Sequence, residues 1–567
     1  MTDISIRLAG AAGQGLLSAG KLLGKACVRA GYHVFGVQDS ESRIRAGHNF
    51  FQLRISDVPV WAMKKQVDLL VTLDKEKMSE DLAALKENGI AILDSATLKA
   101  DIEDSRIVDV PLRQIAMNTG KKPIYSNSAA VGFVFGALGL DIELLNSLFK
   151  ARFKDEAISA GNIDAAAEGY VQGKDHNGKI GSLPTIEGAP KRLFLNGNEA
   201  AALGAISANM KFISCYPMSP STGIITYLAN VETTAGIVTE QAEDEIAAVN
   251  QAVGASMAGV RAMTSTSGGG MALMSETISL CGIAEVPLVI INCQRGGPGT
   301  GLPTRQEQAD LLFSTFTGHG DFPRAVLAAT NAEDIFYLTA KAFNIADRYQ
   351  IPVIVLSDQH IADSFFTVDQ YNLDKVPMET SLVSTRALKQ MTEYKRYAIT
   401  ESGISPRAYP GQSEHLVFTD SHEHVETGHI TDDPQIRKAM VEKRARKTAK
   451  LSASYAVQQF GTSKADVAVV SWGSTGDTLK EVVLQLKDKG VHLNHVHLTE
   501  IWPFPARQFN AAVENSKRIV VVEGNQSGQL AALITQSTGK KTELLPKYDG
   551  RPFIVEDLTA AVAEVVK

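Results

Sequence analysis

The chain has 567 residues, several times a typical domain of about 150, so one core cannot organise it. Hydrophobic residues make up 44% and charged residues 21%, a balance that excludes a disordered chain. With 63 acidic against 56 basic residues the formal charge is -7 and no long basic block is present, which argues against binding nucleic acid by phosphate neutralisation.

Cys27, Cys215, Cys281 and Cys293 lie far apart, with no C-x-x-C spacing. Neither a disulfide framework nor a cysteine-held iron–sulfur cluster is expected in this chain. Asp3 and Arg7 interrupt the first apolar stretch, and the longest apolar strings elsewhere are strand-sized. The expectation is a soluble, cytoplasmic protein without a bilayer span.

Short β-branched runs alternate with longer segments rich in Ala, Leu and Gly, the pattern of parallel sheets covered by helices, so the predicted class is α/β. The first domain, 1–175, is predicted to hold a strand over 4–8, a helix over about 16–30, and strands near 33–37 and 69–72. Between strand and helix, Gly10-Ala-Ala-Gly13-Gln14-Gly15 would place an anion on the helix N-terminus. Its G-x-x-G-x-G spacing departs from the dinucleotide fingerprint, which also weakens an NAD-linked reading with Asp39 as the ribose-binding acid. Leu22 stands where a P-loop needs a hydroxyl, so nucleotide hydrolysis is rejected. The run from Asp39 to His48, with Ser42 and Arg43, carries groups able to hold phosphates or simply to form a solvated loop. Gly173 to Gly178, then Pro184 and Pro190, mark a linker over 176–192.

The middle domain, 193–366, concentrates unusual residues at predicted strand ends, where ligands of parallel α/β sheets bind. After a strand over 211–215 comes Tyr216-Pro217-Met-Ser219-Pro-Ser-Thr222. Ser219 reads as an N-cap with Pro220 at the first helical position, a geometry that suits a carboxylate or serves capping alone. Glu243-Asp-Glu245 opens the next helix. Three acids in a first turn complement the helix dipole, but they point about 100° apart, so at most one or two face inward. An inward carboxylate among Ala and Gly would be desolvated, which favours the protonated form an acid–base residue needs. Two further strand ends lead into Thr266-Ser-Gly268-Gly269-Gly270 and Arg295-Gly-Gly-Pro-Gly-Thr-Gly301, followed by Thr304 and Arg305. Glycines let a ligand approach the backbone, and arginine offers a carboxylate a bidentate fork.

From 367 to 460 the periodicity decays into a polar, irregular connecting segment, too long for an ordinary loop. Within it His422, His424 and His429 near Asp420 mimic a metal site, though such a polar cluster is more often structural. The last domain, 461–567, is α/β again.

These motifs resemble the 2-oxoacid:ferredoxin oxidoreductases, specifically an α subunit with a fused N-terminal γ domain. Tyr216 to Thr222 looks like the family's Y-P-I-T-P-S-x motif, Glu243 to Ala248 like its E-x-E-I-A-A helix, and Gln294 to Gly301 like its arginine loop. The Gly10 loop with Ser42 to Asn49 resembles the γ domain, and Val521 to Gln526 a transketolase C-terminal-like domain. The resemblance implies thiamine diphosphate chemistry: decarboxylation of a 2-oxoacid, with electrons passing to ferredoxin and the acyl group to coenzyme A. It makes Glu245 the catalytic carboxylate at N1′ of the aminopyrimidine, with Tyr216, Pro217, Gly268 and Gly269 around that ring. Ser219 and Arg295 would hold the substrate's 2-oxoacid end, Ser219 standing where Thr is commoner, and Thr304 would lie near its variable side chain. Gly13, Gln14, Gly15, Ser42 and Arg43 would contact coenzyme A.

No G-D-G sequence occurs in the chain, so the resemblance implies a β subunit bringing Mg²⁺, the diphosphate grip and a [4Fe-4S] cluster, in an (αβ)2 assembly with a large permanent interface. The fused arrangement looks most like 2-oxoglutarate enzymes forming succinyl-CoA and CO2, with Arg305 as a partner for the distal carboxylate. Branched-chain or other 2-oxoacids are the alternative substrates. A regulatory subunit that has kept the fold without the chemistry is the rival of another class.

Overall fold

The computed structural model describes residues 2–11, 14–40, 48–99 and 103–567. They form two compact units, 1–195 with 363–371 and 554–558, and 196–362 with 372–553 and 559–567. Among the described residues no helix is long and apolar enough to cross a membrane.

The first unit is built on an eight-stranded sheet in the order Ile107–Asp109, Leu85–Leu93, Val67–Thr72, Asp3–Ala11, His48–Ser56, His33–Ser40, Phe365–Asp369 and Arg192–Asn196. One half is parallel, as the sequence predicts, with Ile6 beside Leu69. The other half is antiparallel, with Ile6 opposite Leu53 and Val34 opposite Ile55. The reason is chain length: few residues separate Ser40 from His48, and a parallel return needs a crossover of a dozen or more. Strands Arg192–Asn196 and Phe365–Asp369 belong to this sheet, although the expected bounds run the first from the linker into the middle domain and the second from the middle domain into the connecting segment. Helices Ser126–Leu138 and Glu156–Lys174 meet backbone to backbone. A Cβ at Gly132 would overlap the Ala166 carbonyl, and one at Gly169 the Ala129 carbonyl, so the close approach requires glycine.

The second unit contains a seven-stranded sheet in the order Glu500–Trp502, Ala325–Ala328, Pro352–Asp358, Leu288–Gln294, Ala262–Thr266, Phe212–Cys215 and Val238–Gln241. Six strands are parallel, and Glu500–Trp502 pairs antiparallel with Ala325–Ala328. Leu288–Gln294 and Pro352–Asp358 are buried at every position, as central parallel strands are, and each fully buried Val, Leu or Ile contributes about 1.5–3 kcal/mol. The chain leaves Phe212–Cys215 toward one margin of the sheet and Ala262–Thr266 toward the other. Their junction is the switch point at which open α/β sheets bind ligands.

A five-stranded sheet, ordered Gln458–Gly461, Asn494–Leu498, Val467–Trp472, Arg518–Glu523 and Glu543–Pro546, completes this unit. One apolar cluster runs through both sheets, joining Ile290, Val326 and Ile354 to Val470, Trp472 and Val521. A buried polar chain joins them as well. Thr330 Oγ1 donates to Asp334 Oδ2 at 2.7 Å, so it accepts from His497 Nε2, also at 2.7 Å. His497 Nδ1 is then the acceptor for Ser471 Oγ at 2.9 Å, and Ser471 accepts from His495 Nε2 at 2.7 Å. Both imidazoles are neutral: burial drives His497 down to about 4 and His495 well below its ordinary value.

The segment read as irregular contains the twenty-residue helix Pro434–Ala453, capped by Asp433, whose carboxylate accepts from Gln435 and Ile436 N–H. Its buried face is Met440, Lys443, Arg444, Lys447 and Leu451, a helical stripe made largely of cations. Lys443 meets Glu285 Oε1 at 2.5 Å and Lys447 meets Oε2, all three side chains at most 1% exposed. Burial alone would raise the Glu285 carboxyl, but the two ammonium groups and Arg396 outweigh it and hold it at about 2. Burial brings Lys443 down to about 8 against the attraction of Glu285.

Candidate functional site

The four strand-end loops of the seven-stranded sheet converge on the switch point. Tyr216 to Ser221 carries the chain from Phe212–Cys215 into helix Thr222–Ala235. Ser219 is not the N-cap predicted. The cap position is Ser221, whose hydroxyl turns back to donate to the Met218 carbonyl at 2.8 Å instead of capping. Ser219 and Pro220 form the turn before the helix, and the Ser219 carbonyl accepts from Arg295 Nη1 at 2.8 Å. That bond draws the first and fourth loops together.

The three acids separate as their angular spacing requires. Glu243 is exposed, and Asp244 caps helix Glu245–Met257 by accepting from Ala247 N–H at 2.8 Å. Glu245, the first helical residue, turns inward and is 4% exposed, and its Oε1 has no hydrogen-bond partner among the described residues. A buried, unpaired carboxylate oxygen costs stability unless something meets it. Gly270 packs against this carboxylate, and a Cβ there would lie 2.8 Å from Oε1. Thr266, on the same loop, reaches Met218 Sδ at 3.9 Å.

Gly268 and Gly269 open the short helix Gly268–Leu273. Gly269 is exposed, and a Cβ there would meet nothing closer than the Gly299 carbonyl at 4.0 Å, so the third and fourth loops flank an accessible cradle. Beneath Gly268 lies Asp310, which accepts from Asn292 Nδ2 at 3.1 Å. Burial raises its carboxyl above the ordinary range, and the Glu307 charge adds to the effect. Thr304 and Arg305 are half-buried in the turn that closes the arginine loop. The structure therefore gathers Ser219, Glu245, Gly268, Gly269 and Arg295 at one edge, with Thr304 and Arg305 on the returning limb. Tyr216 is exposed and Pro217 half-buried on the same edge.

Two residues the sequence reading passed over fix this arrangement. Gln308, fully buried, donates to the Trp472 carbonyl at 3.2 Å and accepts from Thr475 Oγ1 and Gly524 N–H at 2.8 and 2.9 Å. Gln306 donates to Ser474 Oγ at 3.1 Å and accepts from His360 N–H at 2.9 Å. The limb leaving the arginine loop is thus bolted to the five-stranded domain. The available signal was a Gln-Glu-Gln run immediately after a glycine-rich loop, polar residues for which an exposed turn has no special need.

In the first unit, Gln14 spends its amide on the fold, accepting from Ala11 N–H at 2.9 Å and donating to the Leu73 carbonyl at 3.2 Å. Gly15 takes φ +80° and precedes helix Leu16–Arg29. A cavity of about 310 Å³ beside them is lined by Gln14, Thr72, Leu73, Thr97, Arg113 and Asn127. Gly13, Ser42 and Arg43 lie outside the described residues. In the second unit, the predicted histidine cluster is engaged in packing: His424 lies against Tyr397 with ring centroids 3.9 Å apart, and His429 stacks on Phe418.

Three family models match successive stretches of the chain. Pyruvate ferredoxin/flavodoxin oxidoreductase matches residues 5–172. Pyruvate flavodoxin/ferredoxin oxidoreductase, thiamine diphosphate-binding, matches 203–443. Pyruvate:ferredoxin oxidoreductase core domain II matches 465–558. The 2-oxoacid:ferredoxin oxidoreductase subunit alpha of Sulfolobus sp is 31% identical, over 99% of this chain and 96% of its own. The chain belongs to the 2-oxoacid:ferredoxin oxidoreductase family. The 2-oxoglutarate synthase subunit KorA of Methanothermobacter marburgensis is 31% identical over 63% of this chain and 94% of its own. The solved 2-oxoglutarate:ferredoxin oxidoreductase from Magnetococcus marinus, with 2-oxoglutarate, coenzyme A and succinyl-CoA bound, is similar over 100% of both chains, at 30% identity and TM-score 0.92. This member of the family is thus an oxidoreductase α subunit with a thiamine diphosphate-binding middle domain.

Proposed function

We propose that the chain is the pyrimidine-side half of a coenzyme A-dependent 2-oxoglutarate:ferredoxin oxidoreductase, completed by a β subunit. The observation that carries this reading is the buried Glu245 carboxylate, with Oε1 unpartnered and Gly270 against it, at the edge where Arg295 is tied to Ser219. An aminopyrimidine nitrogen is the partner that such an oxygen lacks. When bound, thiamine diphosphate supplies a nucleophilic carbon and an electron sink for the bond to the departing carboxylate. Glu245 holds and returns the proton at N1′, and its burial keeps water from competing for that proton. Arg295, set against the Ser219 carbonyl, receives the substrate carboxylate through its planar fork. Tyr216, Pro217, Gly268 and Gly269 shape the cradle, and Thr304 and Arg305 face the substrate's variable end.

The same edge supports a partner chain. Tyr216, Ile246 and Leu302 are 39%, 49% and 51% exposed there, apolar side chains that a subunit interface would cover. The β subunit would bring the diphosphate grip, Mg²⁺ and the [4Fe-4S] cluster, in an (αβ)2 assembly that passes two electrons singly to ferredoxin. Coenzyme A contacts are assigned to Gly13, Gln14, Gly15, Ser42 and Arg43. The cavity beside Gln14 supports that assignment. The 2-oxoglutarate preference rests on the likeness to the Magnetococcus and KorA proteins.

Co-production with the β subunit, followed by coenzyme A-dependent viologen reduction with a panel of 2-oxoacids, tests the reading. A brown complex preferring 2-oxoglutarate, and an assembled but inactive Glu245→Gln variant, are expected. A colourless, inert complex would instead support the regulatory reading.

A further inference from the structure

Within this chain, almost nothing packs on the tip of the arginine loop. Residues 297–302 are exposed, and a Cβ at Gly297 or Gly299 would meet nothing within 4 Å. At its base the loop is closed by backbone bonds, Leu302 N–H to the Gly296 carbonyl at 2.8 Å and Gly296 N–H to the Arg305 carbonyl at 3.2 Å. Beyond the base, Gln306 and Gln308 fix the outgoing limb to the five-stranded domain. Between these two glutamines stands Glu307, half-buried, whose Oε2 accepts from Gly297 N–H at 2.9 Å. The carboxylate therefore reaches from the anchored limb across to the residue two places after Arg295. Where its own chain packs nothing on it, a glycine loop is held by its hydrogen bonds, and a charge-assisted one outweighs its neutral counterparts.

We infer that Glu307 is a positioning residue for the 2-oxoacid, holding the loop at Gly297 so that Arg295 stays against the Ser219 carbonyl. The inference rests on the assignment of Arg295 to the substrate carboxylate. Freed of this latch, the loop would sample other conformations, and the guanidinium would be ready for substrate only part of the time. The cost would fall on apparent substrate affinity.

The test uses the αβ complex, with KM and kcat measured for 2-oxoglutarate and coenzyme A. Glu307→Ala is expected to raise the 2-oxoglutarate KM about 10-fold, the scale set by one charge-assisted hydrogen bond, while the coenzyme A KM stays within about twofold. Glu307→Gln, whose amide oxygen still accepts from Gly297, should recover most of the loss. Because Glu307 acts through Arg295, adding Glu307→Ala to Arg295→Ala should cost less than about twofold more, as expected for coupled residues. Fully additive losses, or an unchanged 2-oxoglutarate KM in Glu307→Ala beside a raised one in Arg295→Ala, would overturn the inference alone. An unchanged KM in Arg295→Ala would overturn the assignment beneath it. Faster tryptic cleavage after Arg295 in Glu307→Ala would report the loosened loop independently of turnover, and an unchanged cleavage rate would count against the latch.

Discussion

Gly270 leaves no room for a side chain beside Glu245, since the first carbon of one would stand 2.8 Å from Oε1 and would overlap Thr266 Oγ1. Gly270→Ala must therefore push the carboxylate or the loop aside. Displacement of a catalytic group by about 1 Å costs roughly 10²-fold in rate. Viologen reduction by the αβ complex should fall by that order while assembly, followed by gel filtration, stays intact. Near-normal activity would show that the carboxylate can shift without harm.

Arg305 sits on the limb returning from the arginine loop, so close to Gly550 that a Cβ placed on that glycine would lie 3.3 Å from the Arg305 Cβ. If it receives the distal carboxylate of 2-oxoglutarate, Arg305→Leu should lower kcat/KM for that substrate roughly 10–100-fold and leave pyruvate nearly unaffected. An unchanged ratio between the two acids would remove this role.

Glu285 balances two buried ammonium groups, so Glu285→Gln leaves Lys443 and Lys447 uncompensated. The expected loss is about 3–5 kcal/mol, because breaking a buried ion cluster costs more than replacing it. Urea denaturation should show the lowered midpoint, and the triple change Glu285→Gln, Lys443→Met, Lys447→Met should recover much of it. A midpoint unmoved in the single variant would contradict the assigned pairing.

The neutral histidines make the second unit sensitive to acid. An unfolded histidine takes up a proton near pH 6.5, whereas buried His497 resists until about 4. Its contribution is complete above pH 6.5 and is lost as pH falls toward 4, amounting to about 3 kcal/mol. Asp477 opposes this: burial raises it to about 6, so it favours the folded state as the medium acidifies. His495, His360 and His424 act in the same direction as His497, Asp310, Asp334 and Glu523 in that of Asp477, and the large downward shifts of His495 and His497 outweigh the carboxyls. Denaturation midpoints should fall between pH 6.5 and 4.5, and less steeply in His497→Gln. A flat profile would argue against buried neutral rings.

The strand-end chemistry was legible because it is written in residue types that strands and helices do not otherwise need: triple glycines, an arginine closing an apolar strand, an acid opening a small-residue helix. The helix Pro434–Ala453 was not legible, because its inward face is Lys443, Arg444 and Lys447, and hydrophobic periodicity finds no stripe made of charge. The antiparallel half of the first sheet escaped for a related reason, as His48–Ser56 begins inside a run dominated by polar residues. The cap was misplaced by two residues, at Ser219 instead of Ser221, because Ser-Pro and Ser-Thr both satisfy capping preferences. Gln308 was invisible because its value lies in partners more than 150 residues away.

The strand Glu500–Trp502, three residues long, closes one side of the cofactor-binding sheet from a distant part of the chain. A fragment ending near residue 460 would keep every proposed pyrimidine and substrate contact, yet Ala325–Ala328 would be left with a bare row of amide donors and carbonyls. Such a row recruits other copies of itself. The catalytic half is therefore not a portable module, and engineered shortening should yield precipitate before it yields a minimal enzyme.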